Sequence, residues 1–194
     1  MQIPRLEDEG KMPKTALVPI ADGTEEIEAV CIIDVLRRAG TSVTVASVDG
    51  LQVTASRGVK LLADRLLGEC VGETYDVIVL PGGMPGAEHL RDSEELAEML
   101  KRQQREGRLY GAICASPVVV LQHHGLLAHR RATCHPNFAA QLEDPQAVDM
   151  RVVVDGTCIT SRGPGTAVEF ALKLVEVLYG EQQAREIALH MLAP

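Results

Sequence analysis

The stretch RLYGAICASPVVVLQ, residues 108–122, decides the fold because it joins an apolar strand to a helix through a single cysteine. The strand ends just before Cys114, small residues follow, and Pro117 stands where a helix is expected to begin. Ala112 and Ser116, two positions away on either side of the cysteine, leave the turn uncrowded, as glycines do in the nucleophile elbow of hydrolases. The sequence therefore predicts a strand-to-helix turn with Cys114 at its apex.

A cysteine in this position is expected to be reactive. The free N–H groups and the dipole of the following helix favour thiolate over thiol, so the pKa of Cys114 is expected to fall below its usual value of about 8.5. The alternative is a buried structural cysteine, since free cysteine is a common core residue. The local pattern alone leaves both interpretations open.

Strands and helices alternate on both sides of this turn, which is typical of βαβ units and a parallel sheet. Strands are predicted at 16–19, 42–48, 75–80, 108–113, 152–154 and 158–160, and helices at 25–39, 92–106, 167–179 and 181–192. Capping boxes formed by Asp92 with Glu95 and by Thr166 with Glu169 are expected to open two of these helices. We therefore expect an α/β fold.

The domain organisation follows from length and composition. The chain has 194 residues, 46% of them hydrophobic and 24% charged, which suits one substantial core. Residues 1–14 are polar and aperiodic, so we expect a disordered tail, an alternative start or a cloning remnant there, followed by a single domain over 15–194.

Charge and cysteine content exclude several classes of function. A formal net charge of -8 and the scarcity of aromatic residues disfavour nucleic-acid binding, and no apolar stretch approaches the length of about 20 residues that spans a bilayer. Five cysteines without CxxC spacing fit neither a disulfide framework nor a structural zinc site. We expect reduced thiols, a cytoplasmic location, and neither nucleic acid nor membrane as a partner.

A glycine turn is the second candidate part of the site. In LPGGMPGAEHL, residues 80–90, the glycines end a buried strand at the sheet edge where open α/β folds bind ligands. The N–H groups of Gly83 and Ala115 could stabilise an oxyanion formed when Cys114 attacks a carbonyl. An ordinary turn is the alternative.

Glu28 is the candidate proton carrier. It shares a helical stripe with Cys31, Ile32 and Val35, so it is expected to face the apolar interior. Burial would raise the pKa of its carboxyl group, and the protonated form could donate a hydrogen bond to a thiolate. The alternative is a helix-edge carboxylate that reaches water.

Three further residues have a functional and a structural interpretation. His135, which precedes a proline, could act as acid or base for the thiol, although a lone histidine is more often structural. Arg57 and Arg162 lie beside glycine turns and could hold an anion, or could simply be solvated.

Seven motifs together resemble the ThiJ/PfpI superfamily, specifically its Parkinson-disease-associated protein deglycase branch and the similar bacterial YajL proteins. They are ADGTEEIEAV, DVLRRAG, SRGVKLLAD, YDVIVLPGG, GAICASP, CHP and TSRGPGTAVEFAL, and they occur in family order over roughly residues 15–190. So many ordered motifs are far more specific than any one of them.

The resemblance implies a flavodoxin-like homodimer that needs no metal or organic cofactor. The implied roles are a reactive thiol at Cys114, a protonated acid at Glu28, the family histidine at His135, oxyanion donors at Gly83 and Ala115, and arginines near the site and dimer interface at Arg57 and Arg162. The implied activities are glutathione-independent conversion of methylglyoxal and glyoxal, removal of early glycation adducts from proteins, oxidant sensing through the same cysteine, and chaperone action.

Two departures from the family limit what the resemblance implies. Ala115 follows Cys114 where the protease-like branch has a histidine, which makes a peptidase or amidase less expected. Ala55 replaces a second family cysteine, so redox behaviour that depends on that thiol should be absent. A carbonyl-detoxifying enzyme is the leading hypothesis, and a redox sensor or redox-regulated chaperone is the alternative.

Overall fold

The structure, a computed structural model, describes residues 12–193. Residues 1–11 of the predicted tail lie outside the described residues. The strands are β1 Thr15–Ile20, β2 Ser42–Ser47, β3 Gln52–Thr54, β4 Lys60–Leu62, β5 Arg65–Leu66, β6 Val77–Leu80, β7 Leu109–Ile113, β8 Val152–Asp155 and β9 Cys158–Ser161. The helices are α1 Glu26–Arg38, α2 Gly86–Asp92, α3 Glu94–Arg105, α4 Ala167–Tyr179 and α5 Glu181–Met191.

The central sheet has seven strands in the order β5-β2-β1-β6-β7-β9-β8. All neighbouring pairs are parallel except β8 with β9, which is antiparallel. The remaining strands, β3 and β4, form a separate antiparallel hairpin. Within the sheet β7 lies between β6 and β9, so the residues that follow all three parallel strands meet at one edge.

Two layers of helices cover the sheet, because side chains alternate between its faces. On one face Ile78 and Leu80 of β6 pack with Leu96 of α3. On the other face Val79 of β6 packs with residues of α1, α4 and α5, among them Phe170. This arrangement confirms the predicted α/β fold with a mostly parallel sheet between helices.

The predicted helix over 92–106 is wrong at its start. Helix α2 already occupies Gly86–Asp92, and the chain breaks at Ser93 before α3 begins. The Ser93 hydroxyl accepts the Leu96 N–H at 3.3 Å and caps α3, whereas the Asp92 carboxylate pairs with Arg91. Serine is a favoured N-cap residue, and its cap displaces the predicted box of Asp92 and Glu95.

The second predicted capping box is also wrong. The Thr166 hydroxyl makes no cap to α4 and instead hydrogen-bonds with Gly163 and Ser161. The partner acid, Glu169, pairs with Arg151 at 2.7 Å. The start of α4 is thus tied to the end of β9, and the helix occupies the predicted range 167–179.

No helix within residues 12–193 is long and apolar enough to cross a bilayer.

The first prediction concerns the close packing around Gly111 in β7 and its effect on stability. A Cβ at Gly111 would lie 2.8 Å from the Ile159 carbonyl oxygen and 3.3 Å from the Phe170 ring, so Gly111→Ala must displace β9 or α4. We expect a loss of about 1–3 kcal/mol in the free energy of unfolding, measured by urea denaturation. Gly72→Ala is the matched control, because no atom lies within 4 Å of its Cβ position, and it should change stability by less than about 0.5 kcal/mol. Equal effects in the two variants would contradict this account of β7.

Candidate active site

Cys114 occupies the predicted turn between β7 and the following helical segment. Its φ of 66° lies in the left-handed region, which residues other than glycine rarely adopt. Its N–H donates to the Ser161 carbonyl at 3.0 Å, and its own carbonyl accepts the His135 N–H at 2.8 Å. Bonds from two neighbouring segments therefore hold the strained backbone and fix the direction of the thiol.

The segment after the cysteine is a short π-helical stretch, Pro117–Gln122, with proline at its first position. The buried Ser116 hydroxyl, just before it, donates to the Pro81 carbonyl at 2.6 Å. Ser116 thus does more than leave the turn uncrowded, since it fastens the turn to the loop that follows β6.

Gly82, in that loop, has no side chain, and the Cys114 side chain occupies the space that a Cβ at position 82 would need. A Cβ at this position would lie 2.6 Å from the Cys114 Cβ and 3.0 Å from Glu28 Oε2. The next residue, Gly83, has a φ of 90°, and a Cβ there would lie 2.4 Å from the Glu25 nitrogen. Both glycines are required because the loop, the helix α1 and the turn approach one another so closely.

Glu28 brings a carboxyl group from α1 into this space. The side chain is fully buried, and its Oε2 accepts the Gly82 N–H at 2.7 Å. The other oxygen, Oε1, is buried without a hydrogen-bond partner among residues 12–193. Burial, together with the charge of Glu25, raises the pKa of Glu28 to about 7 against the lowering effect of the Gly82 and Cys114 hydrogen bonds.

The thiol has a pKa shifted in the direction opposite to the sequence-based expectation. Burial, and then the charge of Glu28, raise the pKa of Cys114 to about 12. The N–H groups of Gly83 and Ala115 hydrogen-bond to the sulfur and lower its pKa, but they do not outweigh the other two causes. The prediction of a lowered pKa is therefore wrong. Because the charge of Glu28 opposes loss of the thiol proton, the ionisations of the two groups are linked, and the thiol keeps its proton where Glu28 is ionised.

His135 lies beside the pair, at the start of a 3₁₀ turn, Pro136–Gln141. Its ring Nδ1 accepts the Asn137 N–H at 3.2 Å, so the neutral ring carries its proton on Nε2. The position that a Gly163 Cβ would take lies 3.4 Å from His135 Cδ2 and 4.0 Å from Glu28 Oε1. The histidine and the glutamate therefore border the same glycine.

The two predicted arginines hydrogen-bond to backbone carbonyls. Arg57 is exposed and its guanidinium donates to the Ser56 carbonyl, while Arg162 is half-buried and donates to the Asp149 carbonyl at 3.4 Å. Within residues 12–193, no hydrogen bond or ion pair joins either guanidinium to Cys114 or Glu28. A role for either arginine in holding an anion at the site stays a prediction.

Two contributors to the geometry were missed from the sequence. In the sequence, Gly82 is one half of a glycine pair typical of an ordinary turn. Glu25 is one of several acids at the predicted start of a helix, where acids favour the helix dipole. Glu25 is in fact the N-cap of α1, where its carboxylate accepts the Glu28 N–H at 2.8 Å. The consecutive acids of TEEIE were the available signal, but they do not show which one caps the helix.

The described residues contain no cluster of three or more His, Cys, Asp or Glu side chains that could hold a metal ion.

Comparisons with known proteins identify the family. A profile of the DJ-1/PfpI family matches residues 14–177. The oxidized structure of Toxoplasma gondii DJ-1 superposes with a TM-score of 0.91 at 52% identity, covering 93% of this chain and 98% of that one. Glutathione-independent glyoxalase DJR-1.2 of Caenorhabditis elegans is 38% identical over 177 residues, which are 90% of this chain and 94% of that protein.

A plant relative shares the same region within a longer chain. Protein DJ-1 homolog B of Arabidopsis thaliana is 53% identical over 173 residues, which are 89% of this chain but only 40% of that protein. The chain thus spans about two fifths of the length of this relative. Since the family profile covers most of the chain and the relatives match almost all of it, the chain belongs to the DJ-1/PfpI family, that is, to the DJ-1 branch of the ThiJ/PfpI superfamily.

Proposed function

We propose that this protein is a cysteine-dependent enzyme that detoxifies reactive carbonyl compounds without glutathione. The observation that carries the proposal is the buried Glu28 carboxyl beside the Cys114 thiol, at a turn where the N–H groups of Gly83 and Ala115 hydrogen-bond to the sulfur. Such a site can release a thiolate and stabilise an oxyanion at the same place. The substrates proposed are methylglyoxal, glyoxal and their early adducts on proteins.

The first step is addition of the Cys114 thiolate to the aldehyde carbon of methylglyoxal. The reactive form proposed is the minor one in which Cys114 is a thiolate and Glu28 holds a proton, so that the sulfur is free to form the S–C bond. The carbonyl π bond breaks and its electrons move to the oxygen, where the N–H groups of Gly83 and Ala115 stabilise the negative charge. Protonation of that oxygen by Glu28 leaves a hemithioacetal and a carboxylate.

The second step moves a hydrogen between the two carbons. The Glu28 carboxylate, or His135, removes the proton from the former aldehyde carbon, which gives an enediol, and a proton is returned to the neighbouring carbon. The product is a 2-hydroxy thioester on Cys114. Water then attacks the thioester carbonyl, the C–S bond breaks, and lactate leaves while the thiol regains its proton. The sum is methylglyoxal plus water to lactate, with no external oxidant.

Two observations favour this activity over a peptidase. A relative that matches 90% of this chain carries the name glutathione-independent glyoxalase. In addition, the residue after the nucleophile is a buried alanine, so no histidine adjoins the thiol in the manner of the protease-like branch. Removal of early glycation adducts from proteins would use the same addition to a hemithioacetal or aminocarbinol carbon.

A redox sensor, or a chaperone regulated through the same thiol, is the second candidate. A protonated Glu28 has a free Oε1 that could donate to a sulfinate oxygen on Cys114, and the similar Toxoplasma gondii structure is of an oxidized protein. The two roles differ in turnover. The sensor role requires negligible lactate formation by the wild type, together with altered sulfinate stability and partner binding in Glu28→Gln.

The first test removes the thiol. Purified wild type should form lactate from methylglyoxal in the absence of glutathione, and Cys114→Ala should lower kcat/KM by at least about 100-fold because the covalent step is lost. Cys31→Ser is the matched control, since it removes another half-buried thiol of the same domain and should keep most of the activity. Equal rates in wild type and Cys114→Ala would reject the enzyme.

The second test measures how kcat/KM depends on pH through the ionisation of Glu28. Because its pKa is raised to about 7, the carboxyl is protonated below that pH and charged above it, where it also raises the pKa of the thiol. Below about pH 7 both groups hold a proton, and above it the pair has lost one, so the fraction of molecules with a thiolate beside a protonated Glu28 rises up to that pH and then levels off. We expect kcat/KM to rise with pH up to about 7 and to level off above it. Glu28→Gln should be slower and should lack this inflection, whereas Asp34→Asn, on the exposed side of the same helix, should keep it. An unchanged inflection in Glu28→Gln would remove Glu28 from the mechanism.

We also propose a second copy of the chain as a partner. Ile27 and Val30 on α1 are 53% and 50% exposed, and Leu62 on the neighbouring hairpin is 75% exposed. The hairpin turn lies against the start of α1, because the Glu26 carboxylate accepts the Ser56 hydroxyl at 2.9 Å. Burial of these side chains in a symmetric interface would remove an exposed apolar surface from water.

Sedimentation velocity tests the dimer. The wild type should sediment with twice the mass of one chain at micromolar concentration, and Val30→Glu should shift the population toward the monomer because it places a charge in the interface. A monomeric wild type, or a Val30→Glu variant as dimeric as the wild type, would contradict the proposed surface.

A further inference from the structure

A closed ring of three hydrogen bonds connects α1 to the loop after β6. The Glu25 N–H donates to the Gly82 carbonyl at 2.9 Å, and the Gly82 N–H donates to Glu28 Oε2 at 2.7 Å. The Glu28 N–H in turn donates to Glu25 Oε2 at 2.8 Å and completes the ring. Each bond fixes the donor or acceptor of the next one, so the two carboxyl groups are held as neighbours.

The choice of glutamate at the start of α1 is itself unusual. Serine, threonine, aspartate and asparagine are the residues that normally cap a helix. Glu25 makes the same hydrogen bond with a longer side chain, and it adds a negative charge beside the buried carboxyl of Glu28. It also takes the Glu28 N–H, a donor that would otherwise be free to stabilise an ionised carboxylate nearby.

We propose that Glu25 is a positioning residue whose charge favours the protonated form of Glu28 and thereby promotes formation of the reactive thiolate of Cys114. The effect on the thiol is indirect. An ionised Glu28 opposes formation of the thiolate, so a group that disfavours ionisation of Glu28 promotes the thiolate.

The surroundings of Glu28 support this assignment. The titratable groups that face it are Glu25 and Cys31 of its own helix, Cys114 of the turn, and His135 across Gly163. Strands β1 and β2 and helix α4 also pack against α1, but within residues 12–193 they bring no charge that shifts the pKa of Glu28. Glu25 is therefore the charged neighbour that raises the pKa of Glu28, in addition to burial.

The neighbouring acid does not share this role. The Glu26 carboxylate turns to the hairpin and accepts the Ser56 hydroxyl and the Arg57 N–H, both at 2.9 Å. It contributes no shift to the pKa of Glu28. Glu26→Gln consequently removes the same charge from the same helical turn and provides a matched control for Glu25→Gln.

The change expected in the reactivity of the Cys114 thiol is opposite to the usual effect of removing a nearby negative charge. Removal of a negative charge next to a thiol usually makes the thiolate easier to form. Here Glu25→Gln keeps the oxygen that caps the helix but should lower the pKa of Glu28, so that more of Glu28 is ionised at neutral pH. The thiol of Cys114 should therefore become less reactive. The expectation for catalytic turnover rests on the proposed function, whereas the expectations for titration and thiol reactivity do not.

The experiment measures the titration of Glu28 by NMR of its side-chain carboxyl carbon, together with the alkylation rate of Cys114 by iodoacetamide at pH 7. In Glu25→Gln we expect the Glu28 midpoint to move down by about one pH unit. If only molecules with a protonated Glu28 react, the protonated fraction falls from about one half to about one tenth, and the alkylation rate falls about fivefold. Glu26→Gln should leave both quantities unchanged.

A second substitution separates the charge from the cap. Glu25→Ser supplies a favoured N-cap hydroxyl without a charge, so it should reproduce the lower midpoint and the slower alkylation. An unchanged Glu28 midpoint in both variants would overturn the inference, and so would faster alkylation, which would mean that Glu25 acts on the thiolate directly. If wild type forms no lactate while the titration behaves as expected, the proposed enzyme fails and the role of Glu25 stands.

Discussion

The left-handed backbone at Cys114 is the constraint on which the rest of the site depends. A non-glycine residue keeps such a conformation only when its surroundings compensate the strain, and here the compensation comes from the Ser161 carbonyl and the His135 N–H. These two partners come from the end of β9 and from the loop after the π-helical stretch. The parallel pairing of β9 with β7 puts Ser161 opposite Ile113, the residue before the turn. Strand order, more than any single side chain, therefore determines where the sulfur lies.

Within this frame, the electrostatics of the site come from two buried acids whose ionisations oppose each other. Burial disfavours both the thiolate and the carboxylate, and the carboxyl still ionises first because its pKa is about 7 whereas that of the thiol is about 12. Smaller local effects adjust these values: backbone N–H groups at the sulfur, the Gly82 N–H at one carboxyl oxygen, and the charge of Glu25. A helix dipole acting on an otherwise isolated cysteine is a poor description of this site, because the helical segment that follows is only six residues long.

The strand-to-helix turn and most of the sheet could be predicted from the sequence, because apolar runs followed by glycine or proline have a local physical meaning. Helix α2 and its separation from α3 could not, because Ser93 and Asp92 are both good capping residues and tertiary packing decides between them. The inward position of Glu28 followed from helical periodicity. The raised pKa of Cys114 did not follow, since it depends on burial and on a carboxyl group 86 positions away in the chain. Local sequence patterns carry no information about such a distant neighbour.

The ring of hydrogen bonds that joins Glu25, Gly82 and Glu28 also affects how fast Cys114 is oxidised. Local opening of the first turn of α1 would break all three bonds together and admit water to Glu28 and to the sulfur. A thiol in water ionises near its ordinary pKa, so an opened molecule would expose far more thiolate to peroxide than a closed one. The rate of irreversible oxidation of Cys114 would then depend on how often the first turn of α1 unfolds locally. The oxidised fraction of the cysteine would grow with the number of such openings.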